Sequence, residues 1–286
     1  MIGFKGIIPC LSLLLLLNSI ALLGHQNRGE IVNGDVNIAL TMARSQLSMH
    51  EPIVATFRVK NDTTKGIQLD LGRDRKENFL LTIKTPGGKT ITVPQVRKGG
   101  FTRNGELAIY AGQTYAQELL LNEWFAFTEI GTYQIKMRLV KPLTSLEGKE
   151  IERAKEFVID FKLTARDEVA LTKTCDQLAS QIESSNSYEA AAEATRELSF
   201  VTDPIAVPYL QRALISRKLV EPIAIEGLER VGNIEAARAL SQGLKIEYND
   251  VSLLTRAALQ RMESSTADPA IRQEIDRILS QSGASA

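Results

Sequence analysis

Two periodicities divide the chain. Around Tyr133, Ile135, Met137 and Leu139 the apolar residues alternate with Gln134, Lys136 and Arg138. A period of two over such a run predicts a β-strand with one face buried. Similar runs occur at Val36–Met42, Ile53–Val59 (ending at Asn61-Asp62), Gly66–Leu71, Phe79–Ile83, Thr90–Val93, Leu107–Tyr110, Tyr115–Leu121 and Phe157–Leu163. Turn chemistry separates them, with Ser48–Pro52, Thr85-Pro86-Gly87-Gly88 and Ala111-Gly112-Gln113 as the clearest cases. Gln26–Asn33 reads as a polar leader before the first strand. Eight or nine short strands with turns between them suit an antiparallel sandwich rather than a parallel α/β sheet.

One corner of this half is more specific. Glu129-Ile130-Gly131-Thr132-Tyr133 enters the strand Tyr133–Leu139, and that spacing resembles the tyrosine corner of immunoglobulin-like sandwiches. The resemblance implies a Tyr133 hydroxyl bonded back to the chain. Ile135 stands where antibody domains carry cysteine, so no inter-sheet disulfide is implied. The run Val36–Leu163 resembles the Ig-like modules of exported bacterial proteins, and more loosely the intracellular proteinase-inhibitor domain of bacilli. Both resemblances rest on shared turn chemistry and speak to fold more than to function.

From Asp167 the apolar spacing lengthens to about 3.6 residues, the helical period. The helical region also repeats. Leu198, Asp203, Val207, Leu210 and Leu214 superpose without gaps on Leu228, Asn233, Ala237, Leu240 and Leu244. A third copy begins at Leu259 and, after inserted residues, gives Asp268, Ile275 and Leu279. Asp203, Asn233 and Asp268 are N-cap residues, with Pro204 and Pro269 at the first helical position, where a missing N–H costs nothing. Such units resemble short bacterial HEAT-like repeats of the PBS-lyase type over Tyr188–Gln281, with Asp167–Ser185 as a capping helix. An irregular bundle with coincident leucines is the other reading. The expected fold is multidomain, β then α: an antiparallel Ig-like β-sandwich over 34–165 and an α–α HEAT-like array over 167–282.

The first 24 residues differ from both halves. Lys5 precedes the apolar run Ile7–Leu23, which ends near the small-x-small site Ser19-Ile20-Ala21. This is the pattern of a secretory signal peptide. The run is also near the lower limit for a membrane span, so a retained anchor stays open. The expected location is periplasmic or secreted, or anchored through residues 7–23. Cys10 precedes the leucines, whereas a lipid-acceptor cysteine would follow them. After cleavage only Cys175 remains, and one thiol closes no internal disulfide.

Lys plus Arg and Asp plus Glu each number 34, so no global field favours nucleic acid or anionic lipid. With 44% hydrophobic and 24% charged residues, the chain is of the folded, globular kind. There is no H-E-x-x-H, C-x-x-C, G-x-S-x-G or P-loop pattern. His50, in Met49-His50-Glu51-Pro52, reads as a solvated turn residue, and a dyad with Cys175 needs the two halves to meet there. Asp70 and Asp74 lack the spacing of a calcium loop. Asn61-Asp62-Thr63 formally matches a glycosylation acceptor. No cofactor or metal is expected, and no catalytic residue is assigned. The interface candidates are Trp124 and Phe125, which either seal apolar surface or lie exposed, and the loop residues Arg97, Lys98, Phe101 and Arg103. The expected function is that of an exported, non-enzymatic interaction or scaffold protein with a protein partner. The alternatives are a protease inhibitor presenting Lys98–Arg103, an enzyme with a carboxylate-only site, and carbohydrate recognition by Trp124.

Overall fold

The computed structural model describes residues 28–33, 36–72, 77–94, 105–152, 156–247 and 249–283. The β half opens with β1 (Arg28–Asn33), β2 (Val36–Thr41), β3 (Gln46–Ser48), β4 (Val54–Asn61), β5 (Ile67–Asp70), β6 (Phe79–Lys84) and β7 (Thr90–Thr92). It continues through β8 (Glu106–Ile109), β9 (Thr114–Leu120), a 3-10 turn at Leu121–Glu123, β10 (Gly131–Leu139), β11 (Leu143–Ser145), β12 (Glu150–Glu152) and β13 (Glu156–Thr164). The α half comprises α1 (Glu168–Ser184), α2 (Tyr188–Leu198), α3 (Val207–Leu214), α4 (Glu221–Val231), α5 (Ile234–Leu240), α6 (Asn249–Ser265) and α7 (Pro269–Gly283).

The strands are ordered β1-β2-β4-β9, β3-β13-β10-β6-β7 and β12-β11-β5-β8. The pairing is antiparallel except where β3 runs parallel to β13. β4 leads into β5 and β8 into β9, so the first and third sheets are one ladder broken by a jog at Asn61. Asn61 holds the jog together. Its Nδ2 donates to the Lys65 and Ile109 carbonyls at 2.8 Å each, and its side chain is fully buried. That placement overturns the glycosylation reading, because the acceptor nitrogen is enclosed and already engaged.

The alternation in β10 holds residue by residue: Tyr133, Ile135, Met137 and Leu139 are buried, while Lys136 and Arg138 are exposed. The Tyr133 hydroxyl accepts from the Glu129 N–H at 2.9 Å, the corner contact the motif implies. Its ring stacks on Phe161 at 5.4 Å and meets Phe127 edge-on at 5.1 Å. Gly131 has φ +137, and a Cβ there would lie 2.6 Å from the Pro86 Cβ, so only glycine lets the β6–β7 turn seat against this corner. The polar leader is a partial misreading. Residues 28–33 form β1, paired with β2 from Arg28↔Thr41 to Asn33↔Val36, and an edge strand held by main-chain bonds needs no alternating pattern of its own.

The helices form two layers. α1, α3, α5 and α7 pack in succession on one side, and α2, α4 and α6 on the other. An Asp or Asn cap opens α1, α5, α7 and the 3-10 turn that leads into α3. Asp167 accepts from Val169 and Ala170, Asp203 from Ile205 at the 3-10 turn Pro204–Ala206 leading into α3, Asn233 from Ala236 and Asp268 from Ala270. The capping series therefore begins one helix earlier than the repeat read from leucines. Burial separates into two cores, one drawn from the strands and one from the helices. Among the described residues, no helix is long and apolar enough to cross a membrane. The run Ile7–Leu23 lies outside the described residues.

Candidate functional site

Polar chemistry concentrates where the two halves meet. Chain connectivity forces the first contact: β13 ends at Thr164 and α1 begins at Glu168. Ser48, 2% exposed, accepts the Asp167 N–H on its hydroxyl at 2.7 Å. The Met49 N–H donates to the Thr164 carbonyl at 3.1 Å, which extends the parallel β3–β13 pairing into the connection. His50 follows with φ 73 and faces Thr202, its Nδ1 2.9 Å from the hydroxyl. It is half-buried against the α half, not a solvated turn residue.

Glu51 is the centre of this cluster. Its side chain is 1% exposed, and it accepts from the Ser48 N–H at 2.6 Å, Arg44 Nη2 at 3.0 Å and the Thr174 hydroxyl of α1 at 2.8 Å. Three donors offset the desolvation of a buried carboxylate. Beside it, Arg166 grips Asp203 through Nε at 2.5 Å and Nη2 at 3.1 Å. The Arg166 hydrogen bond holds the Asp203 carboxyl below its usual range. One residue thus caps the turn into α3 and clamps the connection between the halves.

Cys175 lies in the same region, fully buried in α1. Burial pushes its thiol up to about 12, with the charges of Asp176, Asp203 and Glu51 adding to the effect. A thiol held protonated in this way is no nucleophile at neutral pH. The halves do bring His50 and Cys175 to the same junction, but His50 is turned to Thr202 and the thiol is inert.

A second contact lies on the outer side of the first sheet. Glu118 of β9 and Glu123 of the 3-10 turn face α2, where Arg196 sits 3.7 Å from Glu123. Burial pushes the Glu197 carboxyl up to about 7, with the charges of Glu118 and Glu193 and a hydrogen bond with Glu118 acting in the same direction. Trp124 and Phe125 are half-buried and pack on the strand core, and Phe125 meets Phe127 edge-on at 5.0 Å. Their neighbour Glu123 reaches the helices. Arg97, Lys98, Phe101 and Arg103 lie outside the described residues, so the structure joins only two of the interface candidates.

Sequence reasoning missed Glu51, Arg166, Glu118 and Glu197. Nothing local marks them, since each gets its role from the half it does not belong to. Asp203 was legible as a cap, but nothing local marked that it would fold back, two helices on, against the connection. Elsewhere, a shallow groove of about 610 Å³ runs along α4 and α6, lined by Glu229, Ala257, Gln260, Arg261, Ser264 and Ser265. Arg261 spans it with two bonds of 2.7 Å to Glu229. Among the described residues, no group of three or more His, Cys, Asp or Glu side chains is placed to hold a metal ion.

No protein-family model matches this chain, and no curated protein matches it. Among solved structures, a Northeast Structural Genomics Consortium target is 13% identical over 47% of this chain and 77% of its own, with a TM-score of 0.24. A β-glucosidase from Listeria innocua is 15% identical over 46% of this chain, with a TM-score of 0.26. This chain spans 16% of that enzyme. A calcium-binding mutant of Bacteroides uniformis β-glucuronidase 2 reaches 11% identity over 90% of this chain and 34% of its own, with a TM-score of 0.19. Likenesses this weak carry no conclusion about fold or activity.

Proposed function

We propose that this protein is an exported, non-enzymatic scaffold of the cell envelope, an Ig-like sandwich fixed to a short HEAT-like array that binds a protein partner. The observation that carries the reading is the two-layer succession of helices, α1-α3-α5-α7 over α2-α4-α6, with an Asp or Asn cap opening α1, α5, α7 and the 3-10 turn that leads into α3. Stacked helix pairs of this kind expose long faces whose side chains are free to vary, which suits recognition of another chain. The groove along α4 and α6 is such a face, polar at Gln260 and Ser264 and charged at Glu229 and Arg261. Export rests on the Ile7–Leu23 pattern alone.

The test is cross-linking in a cell-envelope fraction, comparing the native chain with Arg261→Glu. The expected result is a defined protein adduct that falls at least tenfold in the variant. Absence of any adduct, together with turnover of a substrate by the purified chain, would overturn the reading.

A further inference from the structure

The outward face of the sheet β3-β13-β10-β6-β7 carries charges that do not cancel. Alternation turns Lys136 and Arg138 of β10, Lys84 of β6 and Lys162 of β13 away from the core, and all four are exposed. Two carboxylates share the face, Glu156 and Asp160 of β13. Glu156 stands directly opposite Arg138, yet it pairs with Lys136 at 3.2 Å. Asp160 stands opposite Gln134 and accepts from its Nε2 at 3.0 Å. Lys162 lies between Thr132 and Gln46, and Lys84 between Gln134 and Thr90. Among the described residues, Lys84, Arg138 and Lys162 enter no ion pair.

Neutral hydrogen-bonding groups stand beside the cations. Thr82 is the cross-strand neighbour of Lys136, Thr90 of Lys84 and Thr132 of Lys162, and each hydroxyl both donates and accepts. Thr132, level with Lys162, lies six residues from Arg138 on β10, about 20 Å at strand spacing, with Lys84 and Lys136 at levels between them. At the Lys162 end a hollow of about 220 Å³ opens, walled by Ser45, Gln46, Thr132, Asp160, Phe161 and Lys162. We propose that this face binds an acidic polysaccharide, an extended chain of sugars bearing carboxylate or sulfate groups, laid along β10 from that hollow to Arg138.

Charge complementarity selects an anion, and the spread of the unpaired cations selects a polymer over a small ion. The threonines and Asp160 select sugar hydroxyls, since a carboxylate accepts from a hydroxyl and repels a bare acidic group. A protein partner fits less well. Leu80 and Val158 are the apolar side chains turned outward on β6, β7, β10 and β13, whereas the cores of protein interfaces are rich in aromatic residues and poor in lysine. A single-stranded nucleic acid fits less well too, because these strands turn no aromatic ring outward on which a base could stack. Exposed cations are screened by salt, so binding weakens as ionic strength rises. The surface belongs to the strands alone, and its test is independent of the groove along α4 and α6.

The experiment titrates the full chain with polygalacturonate and with dextran sulfate at neutral pH, using neutral dextran and oligodeoxythymidine as comparators. The expected result is binding to both acidic polysaccharides, none to dextran, and weaker binding to oligodeoxythymidine. Combining Lys84→Gln, Arg138→Gln and Lys162→Gln is expected to weaken binding at least about tenfold, each exposed contact contributing a modest share. Lys84→Arg, Arg138→Lys and Lys162→Arg together keep the charges and are expected to keep the affinity within about threefold. Lys65→Gln, Lys149→Gln and Lys173→Gln remove the same charge from exposed positions elsewhere and are expected to leave binding as in the parent. The proposal is overturned if the parent binds neither acidic polysaccharide, or binds dextran equally well. It is also overturned if both neutralised triples lose affinity to the same extent, or if oligodeoxythymidine binds more tightly than either polysaccharide.

Discussion

The β half fills its interior with rings and the α half fills its own with methyl groups. Tyr133, Phe57, Phe79, Phe157 and Phe161 are each at most 1% exposed, whereas the described buried residues of the helical core include Ala191, Ala194, Ala213, Ala224, Ala236, Ala237, Ala239 and Ala258 and no aromatic side chain. Geometry accounts for the difference. Facing sheets stand about 10 Å apart and need long side chains to close the gap. Helices that cross at small residues approach more closely and leave little room to fill. Gly227 marks the limit: a Cβ there would lie 2.7 Å from a Leu210 methyl and 2.9 Å from the Ser199 Cα. The β half should therefore be sensitive to deletion, and the α half to addition.

Deletion gives the largest effect. Phe57 packs edge-on against Phe79 at 5.1 Å and Phe157 at 6.2 Å, and Phe57→Ala is expected to cost about 3–5 kcal/mol. The sole tryptophan, Trp124, packs on that core, so its fluorescence in a urea titration reports this transition while helical dichroism follows the other half. Equal shifts in both signals would mean that the halves do not differ as argued. Addition is tested by Gly227→Ala. In an open helix interior this change stabilises by about 0.5–1 kcal/mol, but here overpacking is expected to reverse the sign and cost about 1–3 kcal/mol in the helical transition. A stabilised variant would show that α2 and α4 yield easily.

The link between the halves is the next target. Glu51→Ala strips the Ser48 N–H, Arg44 and Thr174 of their shared acceptor, and a loss of about 1–3 kcal/mol is expected, with fluorescence and dichroism midpoints moving apart in urea. Midpoints that stay together would place the coupling elsewhere. The smallest change is Tyr133→Phe, which keeps the ring stack and loses only the bond from Glu129, for about 0.5–1.5 kcal/mol in the fluorescence transition.

The elements readable in the sequence are those whose causes are local. Alternation found β10, since its inward residues are all large and apolar, and turn chemistry found the β6–β7 hairpin. Spaced Asp and Asn residues found three first-layer helix starts, because a cap acts within its own turn. The hairpin of β11 and β12 escaped notice because three-residue strands carry too few side chains to show a period, and β1 because an edge strand held by main-chain bonds needs no alternation of its own. The jog at Asn61 was read as a strand end, which it is along the chain, but its role in joining two sheets depends on Ile109. The junction was the least legible part. Glu51 resembles any loop carboxylate until Thr174 arrives from α1, and Glu197 resembles any helix-surface glutamate until the charge of Glu118 on β9 acts on it.

The layered helices carry a consequence for how the protein changes size. In such a stack the packing runs between neighbours, α1 with α3, α3 with α5, α5 with α7, and likewise across the second layer. The attachment to the β half uses α1, α2 and the turn before α3, all at the beginning of the succession. α5 and α7 follow at the other end of the succession. Lengthening the succession beyond α3 leaves these contacts to the strands unaltered, so reach can evolve separately from the joint that orients it.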